Sequence, residues 1–184
     1  MQVRSIIACL ALAVTGVAGA QAPSFKETST RGRPRSDGLV VRVSHPAEWR
    51  EVISDDEMAL AELRGPHGRL TGILQIGRGL RRKDTEALCA PERAQTMLKD
   101  ITAEDPDVLV TDVVARKHEG RPAYEVAYQR NSAPVFMRVR SVIVCTKDSQ
   151  VVVSCAGGGA AKSALAEIEP VCRQVLDSLS ISEE

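Results

Sequence analysis

Four cysteines are the residues of this sequence whose type and number say most about its chemistry. Of the five cysteines in the sequence, Cys9 lies in the N-terminal apolar segment, and these four, Cys89, Cys145, Cys155 and Cys172, lie beyond it. None of them belongs to a Cys-x-x-Cys pair, so the spacing of a thioredoxin-like redox site or of a ribbon-type zinc site is missing. An even number of cysteines in an exported chain is typical of disulfide bonds. We therefore predict at least one disulfide and treat all four cysteines as candidates.

The predicted hairpin that contains Cys145 and Cys155 limits how the cysteines pair. With Asp148-Ser149 as its turn, these two cysteines are three positions out of register across the strands. Three positions amount to about 10 Å at a rise of roughly 3.3 Å per residue. Cα atoms joined through a disulfide lie within about 7 Å of each other. We therefore expect each strand cysteine to pair with Cys89 or Cys172, and which partner each one takes stays open.

Two further motifs come close to known catalytic or binding patterns without matching them. Residues 156–163 read AGGGAAKS between a predicted strand and a predicted helix, which is the context of a phosphate-binding loop. That loop needs glycine at the positions of Ala156 and Ala161, so we interpret the glycine run as a flexible connection. No Gly-x-Ser-x-Gly hydrolase motif occurs, and the three histidines are isolated from one another. The sequence therefore predicts no catalytic residue, no metal site and no cofactor.

The densest positive charge belongs to four residues that we interpret as a partner-binding patch. They are Arg78, Arg81, Arg82 and Lys83. The whole chain has 24 basic and 24 acidic residues, and only 3% of it is aromatic. Nucleic-acid binding relies on a basic excess or on aromatic platforms for stacking. We therefore expect another protein as the partner and no nucleic acid.

The elements that must position these residues are mainly strands, because many segments alternate apolar and polar residues. Three hairpins are predicted, each with turn residues between two such segments. After a first strand at 39–43, their strands cover 58–64 and 69–77, 108–117 and 122–130, and 134–146 and 150–155. Apolar residues at helical spacing predict helices over 91–102 and 164–179.

The last two predicted strands are apolar on both faces, which is typical of a sheet covered on both sides. We therefore predict a single α+β domain, an antiparallel β-sheet with helices covering both faces in an α/β/α sandwich. Trp49, which follows the first strand, is expected to pack in the core.

The first 20 residues have the composition of a cleaved secretory signal. Arg4 precedes an apolar run of about 13 residues, which is shorter than the roughly 20 that cross a membrane. Ala18-Gly19-Ala20 fits the cleavage site of such a signal. We therefore expect a periplasmic or secreted protein, cleaved near Ala20, with no integral membrane segment in the mature chain.

The segment after the signal differs in composition from the rest of the chain. Residues 21–38 are rich in Ser, Thr, Pro, Gly and Arg and show no apolar periodicity. This composition predicts a flexible linker over 21–38, followed by a globular domain over 39–184.

Several short motifs follow one another in an informative order. A strand leads into His45-Pro46-Ala47-Glu48-Trp49, a later strand begins at Gly120-Arg121-Pro122-Ala123, and a predicted helix ends at Leu176-Asp177-Ser178-Leu179. This order resembles the PsbP/DcrB-like superfamily over about residues 38–182. The resemblance implies an α/β/α sandwich, and the superfamily includes photosystem accessory proteins and bacterial envelope lipoproteins. Its members share no catalytic residues, so the resemblance implies no activity.

Two functions fit these expectations. The first is an exported, non-enzymatic domain that binds another protein as an accessory or assembly factor of the cell envelope. The alternative is an immunity or inhibitor protein that neutralises a toxin or hydrolase acting in the periplasm. An enzyme would need a cleft with convergent polar groups, which no motif of this sequence indicates.

Overall fold

Strands dominate the structure, a computed structural model that describes residues 23–79, 83, 85–94, 96–97, 99, 103 and 107–183. Within these residues ten strands form two sheets. The strands are β1 Phe25–Ser29, β2 Leu39–Pro46, β3 Arg50–Val52, β4 Ala59–His67, β5 Leu70–Arg78, β6 Val108–His118, β7 Arg121–Ser132, β8 Val135–Cys145, β9 Gln150–Gly159 and β10 Ser180–Glu183. Helical segments are the 3-10 turns Thr85–Cys89, Pro91–Arg93 and Lys162–Ile168 and the α-helix α1, Glu169–Asp177.

The larger sheet has seven antiparallel strands in the order β3-β4-β5-β9-β8-β7-β6. All three predicted hairpins are present in it, as β4–β5, β6–β7 and β8–β9. The β6–β7 turn consists of Glu119 and Gly120, both with positive φ, as a type I′ hairpin turn requires. The pairing of β7 with β8 joins the last two hairpins, and the pairing of β5 with β9 adds the first, although β5 and β9 are far apart in the sequence.

The main hydrophobic core lies on one face of this sheet. Alternate residues of β5, β8 and β9 point to that face, among them Leu74, Val142 and Val153, which are fully buried. The layer opposite is built from the 3-10 turn Lys162–Ile168, from α1, and from β2 of the small sheet β1-β2-β10. The core is therefore closed by a mixed layer of sheet and helix.

The predicted α/β/α sandwich is wrong, because the described residues are mainly strands and a second sheet, β1-β2-β10, takes part in covering the core face of the large sheet. Of the helix predicted over 164–179, only Glu169–Asp177 is a regular α-helix. Pro170 lies in its first turn, because proline lacks the N–H that a residue further inside a helix donates. In the helix predicted over 91–102, Pro91–Arg93 form a 3-10 turn and Ala94, Thr96, Met97 and Lys99 are α-helical, whereas residues 95, 98 and 100–102 lie outside the described residues. No helix among the described residues is long and apolar enough to cross a membrane.

The prediction of a flexible linker over 21–38 is wrong from Phe25 onward. Residues Phe25–Ser29 form β1, which pairs with β2 from Phe25 opposite Pro46 to Ser29 opposite Arg42. Thr30, fully buried, then accepts a hydrogen bond from the N–H of Val41 at 2.9 Å. Backbone pairing and polar hydrogen bonds hold most of the segment in place, and neither requires apolar residues at regular spacing.

The glycine run in residues 156–163 is not a flexible connection. Gly157, Gly158 and Gly159 are the last residues of β9. A Cβ atom on Gly157 would lie 2.8 Å from Ile168, so glycine is what allows the helical segment to pack this closely on the sheet. The run therefore serves packing.

Candidate functional site

A groove of about 510 Å³ lies on the face of the large sheet opposite the main core. We call it the sheet groove. It crosses four neighbouring strands, β6 to β9, because alternate residues of each strand point to this face. Its lining consists of Val108, Val126, Tyr128, Arg130, Met137, Val139, Ser141, Ile143, Val152 and Ser154. The groove is thus a mainly apolar surface on a rigid sheet.

A second hydrophobic cluster adjoins the sheet groove. It centres on Cys89, Tyr124 and Cys145, and Val126 and Ile143 belong both to this cluster and to the groove lining. The disulfide Cys89–Cys145 ties the 3-10 turn Thr85–Cys89 to this face, and the hydroxyl of Tyr124 donates to the carbonyl of Ala90. One end of the groove is therefore held in shape by a covalent bond.

Two hydroxyls form the polar part of the groove floor. Ser141 and Ser154 lie opposite each other on β8 and β9, with their Oγ atoms 2.8 Å apart. Two hydroxyls carry two protons, and their mutual bond uses one of them. The second proton can be donated to another acceptor, such as a carbonyl oxygen. Among the described residues, the groove lining includes no carboxylate and no imidazole.

The opposite face of the same strands carries a network of ion pairs. Glu125 accepts from Arg116 at 2.8 Å and from Arg140, and Arg140 also binds Glu169 at the start of α1. Arg138 and Arg173 donate to Glu169 as well. Burial alone would raise the pKa of Glu169, but the hydrogen bonds from these arginines hold it below its ordinary value. The network fixes α1 to the sheet.

The disulfide prediction is confirmed. Cys89 is bonded to Cys145 and Cys155 to Cys172, with Cα atoms 5.9 and 5.2 Å apart. Each strand cysteine pairs with a cysteine of a helical segment, as the hairpin geometry predicts. The turn between β8 and β9 lies one residue earlier than predicted, because Cys145 lies opposite Gln150 and Cys155 opposite Arg140, so the two cysteines are five positions out of register and not three.

The predicted basic patch is wrong for Arg78. Its side chain is only 7% exposed, and its Nη1 atom contacts the carbonyl of Ser36 at 2.7 Å and the carboxylate of Asp37 at 3.2 Å. Lys83 is exposed, whereas Arg81 and Arg82 lie outside the described residues. Arg78 faces inward because the segment predicted as a linker folds back onto the end of β5.

Most residues of the sheet groove were missed by the sequence analysis. One signal is present in the sequence: Tyr124, Val126 and Tyr128 alternate along β7 and so share one face, as residues of a core also would. Tyr124 and Val126 are buried, and Val126 and Tyr128 line the groove. Ser141 and Ser154 interrupt two apolar strands, and only the β8–β9 register places them opposite each other.

Solved structures share this fold. No protein-family model and no curated protein matches the sequence. LpqN, involved in cell envelope biogenesis of Mycobacterium tuberculosis, is similar at a TM-score of 0.53 and 13% identity, over 86% of this chain and 91% of that one. PA94 from Pseudomonas aeruginosa, a protein of unknown function, is similar at 0.51 and 16%, over 78% and 92%. Such identities show the fold alone, and neither protein is named as PsbP/DcrB-like, so that resemblance stays a prediction.

Proposed function

We propose that this protein is an exported, non-enzymatic binding protein of the cell envelope, and that the sheet groove takes an uncharged, apolar segment of a partner protein. The observation that carries the proposal is the lining of the groove: valine, isoleucine, methionine and tyrosine side chains around a pair of serine hydroxyls. Pockets of this size that are mainly apolar, with a few oriented polar groups, are typical binding sites.

The charges around the groove favour a protein segment over an anionic lipid. Arg130 is the cation among the lining residues, and it already has an interaction within the chain. An anionic headgroup would need a free cation, whereas an apolar peptide needs only the apolar walls and one acceptor for the serine hydroxyl. The backbone carbonyls of a peptide supply that acceptor.

Three observations support the compartment. Two disulfides join the described cysteines, and disulfides persist in oxidising compartments. The first 20 residues have the composition of a secretory signal, for which we propose cleavage near Ala20. The fold is shared with LpqN, a protein of cell envelope biogenesis. Together they favour an accessory or assembly factor outside the cytoplasm.

A site-specific photo-cross-linker tests the proposal. We place it at Met137, in the sheet groove, and as a control at Ile53, an apolar residue that is 96% exposed and lies outside the groove lining. In intact cells the probe at Met137 should link to one protein, and the linked peptide should be uncharged and apolar. The probe at Ile53 should not. Equal products from both probes, or lipid adducts alone, would contradict the proposal.

A synthetic peptide that copies the linked segment completes the test. Met137→Glu should weaken its binding about tenfold or more, because a carboxylate in an apolar groove is poorly solvated. Ile53→Glu should leave the affinity unchanged. The identity of the linked protein separates the two functions: a toxin or hydrolase as partner would favour the inhibitor over the assembly factor.

A further inference from the structure

Strand β6 forms one edge of the large sheet. It is 11 residues long and pairs with β7, and no other described strand lies beside it. It carries two exposed large apolar side chains, Leu109 at 57% and Val114 at 45%. Unpaired backbone N–H and C=O groups along such an edge are a template for a further strand.

The side chains of β6 are complementary to a second copy of themselves. Asp112, Val114 and Arg116 alternate along the strand and so point to the same face. In an antiparallel pair centred on Val114, this valine lies opposite its own copy, and Asp112 lies opposite Arg116 of the second copy. The symmetric pair therefore has two opposite-charge pairs around an apolar centre, a combination that stabilises cross-strand contacts.

Asp112 and Arg116 can both form these additional ion pairs. Asp112 is exposed and takes part in no hydrogen bond or ion pair with the described residues. Arg116 donates through Nη1 to Glu125 at 2.8 Å, and 30% of its side chain remains exposed. A guanidinium has five donors, so Arg116 can bind a second carboxylate without giving up the first.

The symmetric register is also selective. A bulge at Thr111 ends the regular edge, which leaves residues 112–116 as the pairing segment. Shifting the register by two positions places Arg116 opposite Val114 and removes both charge pairs. A foreign strand without this acidic, apolar and basic order would meet unpaired charges, so the edge favours its own copy.

We propose that this protein forms a symmetric dimer in which the two β6 strands pair antiparallel, with the twofold axis at Val114. The two seven-stranded sheets then join into one. The axis is perpendicular to the sheet, so both sheet grooves open on the same side. Such a dimer presents two binding sites to one partner or to neighbouring partners. The dimer does not depend on what the grooves bind.

Cysteine cross-linking of the full mature protein tests the register. All four cysteines of the described chain are in disulfides, so Val114→Cys adds the one free thiol to this part of the chain. The two copies of residue 114 lie about 5 Å apart in the proposed dimer, and mild oxidation should join them in a 114–114 peptide. Leu109→Cys is the control: it is more exposed, but its copies lie about 33 Å apart. Equal cross-linking of both variants would overturn the proposal.

Sedimentation of the unmodified protein over a range of concentrations tests the charges. Asp112→Arg places two like charges opposite each other at both ends of the pair and should raise the dimer Kd about tenfold or more. Asp55→Arg changes the net charge equally at an exposed loop position and should leave the Kd unchanged. A wild-type chain that stays monomeric at the highest concentration, or equal effects of both substitutions, would refute β6 pairing.

Discussion

Trp49 shows how single residues determine the packing of this protein. It is fully buried, as predicted, and two glycines on neighbouring strands leave room for it. A Cβ atom on Gly65 would lie 2.4 Å from Cδ1 of Trp49, and one on Gly72 would lie 2.1 Å from Cζ2. The indole therefore lies against bare backbone, and glycine is required at both positions because no side chain fits there.

Gly72→Ala should destabilise the protein by about 3 kcal/mol or more, because the added methyl group would overlap the indole of Trp49. Gly77→Ala is the matched control on the same strand, β5. Its Cβ atom would lie 3.5 Å from the carbonyl oxygen of Met58, which is an ordinary contact. Urea unfolding of both variants gives the free energies of unfolding, and equal losses would contradict the steric explanation.

His118 makes stability depend on pH near neutrality. Burial lowers its pKa from 6.5, and Arg116 and Arg121 lower it further, against the opposing effects of Glu119 and a backbone hydrogen bond at Leu179. The unfolded chain therefore takes up a proton at a higher pH than the folded chain does. The contribution of His118 to the stability is therefore fully present above pH 6.5 and is lost as the pH falls through the pKa of His118 in the folded state.

We expect His118→Gln to reduce the loss of stability between pH 7 and pH 5. Burial lowers the pKa of His45 as well, so the double variant with His45→Gln should reduce the loss further. His67→Gln, at a partly exposed histidine, serves as the control. Urea unfolding at both pH values measures the effect, and an unchanged pH dependence in the double variant would contradict the assignment.

At the scale of elements, each disulfide fastens one helical segment to one face of the large sheet. Cys89–Cys145 joins the 3-10 turn Thr85–Cys89 to the groove face, whereas Cys155–Cys172 joins α1 to the core face. The two bonds differ in the length of chain they close, because their cysteines are 56 and 17 residues apart.

Removing the longer-range disulfide should cost more stability. In the chain-entropy view, the loss is about 4 kcal/mol for Cys89–Cys145 and about 3 kcal/mol for Cys155–Cys172. Paired Cys→Ala variants, with thermal unfolding as the measurement, should each lower the Tm by roughly ten degrees. The Cys89→Ala/Cys145→Ala variant should also disturb the sheet groove, and the other should not. The reverse order of Tm losses would contradict the entropic explanation.

Strand β1 was not predicted from the sequence, because its segment has the composition of a linker. Deleting residues 23–29 removes the β1–β2 ladder together with Phe25, which packs against the main core. We expect the Tm to fall by several degrees, because the ladder protects one edge of β2. The double variant Lys26→Ala/Glu27→Ala alters only exposed side chains of β1 and should change the Tm little. An unchanged Tm after the deletion would contradict this role of β1 and support the prediction of a flexible linker.

At the scale of the whole molecule, the large sheet has two different faces. One face carries the main core and the ion-pair network that holds α1, and the other carries the sheet groove. The strands beneath the groove are supported from behind by the core and by the disulfide Cys155–Cys172, while Cys89–Cys145 lies on the groove face. The proposed binding surface is therefore held in shape, which lowers the entropy cost of binding.

Export determines whether the whole molecule can oxidise its cysteines. We expect the mature chain to begin at Gln21 and to carry no lipid on Cys9, because cleavage beside Cys9 would leave too short an apolar core for a signal. Intact-mass measurement of the protein purified from the envelope fraction checks both expectations. Retention of residues 1–20, or a diacylglyceryl mass, would contradict them.

The sequence by itself was sufficient for the local features. The three hairpins follow from turn residues between alternating segments, since strands joined by short turns pair with each other. The exclusion of a Cys145–Cys155 bond follows from the register of one such hairpin, whereas the sequence left open which of Cys89 and Cys172 pairs with each strand cysteine. The hairpins and this exclusion depend on residues that are near one another in the chain, where geometry leaves few alternatives.

The tertiary structure decided everything that depends on distant residues. The β5–β9 pairing, the addition of β1 and β10 to β2, and the inward position of Arg78 all join segments far apart in the sequence. The sheet groove arises in the same way, because it exists only once four strands lie side by side. The sequence of an apolar strand face does not show whether a helix, a second sheet or a partner covers that face, because burial stabilises all three arrangements alike.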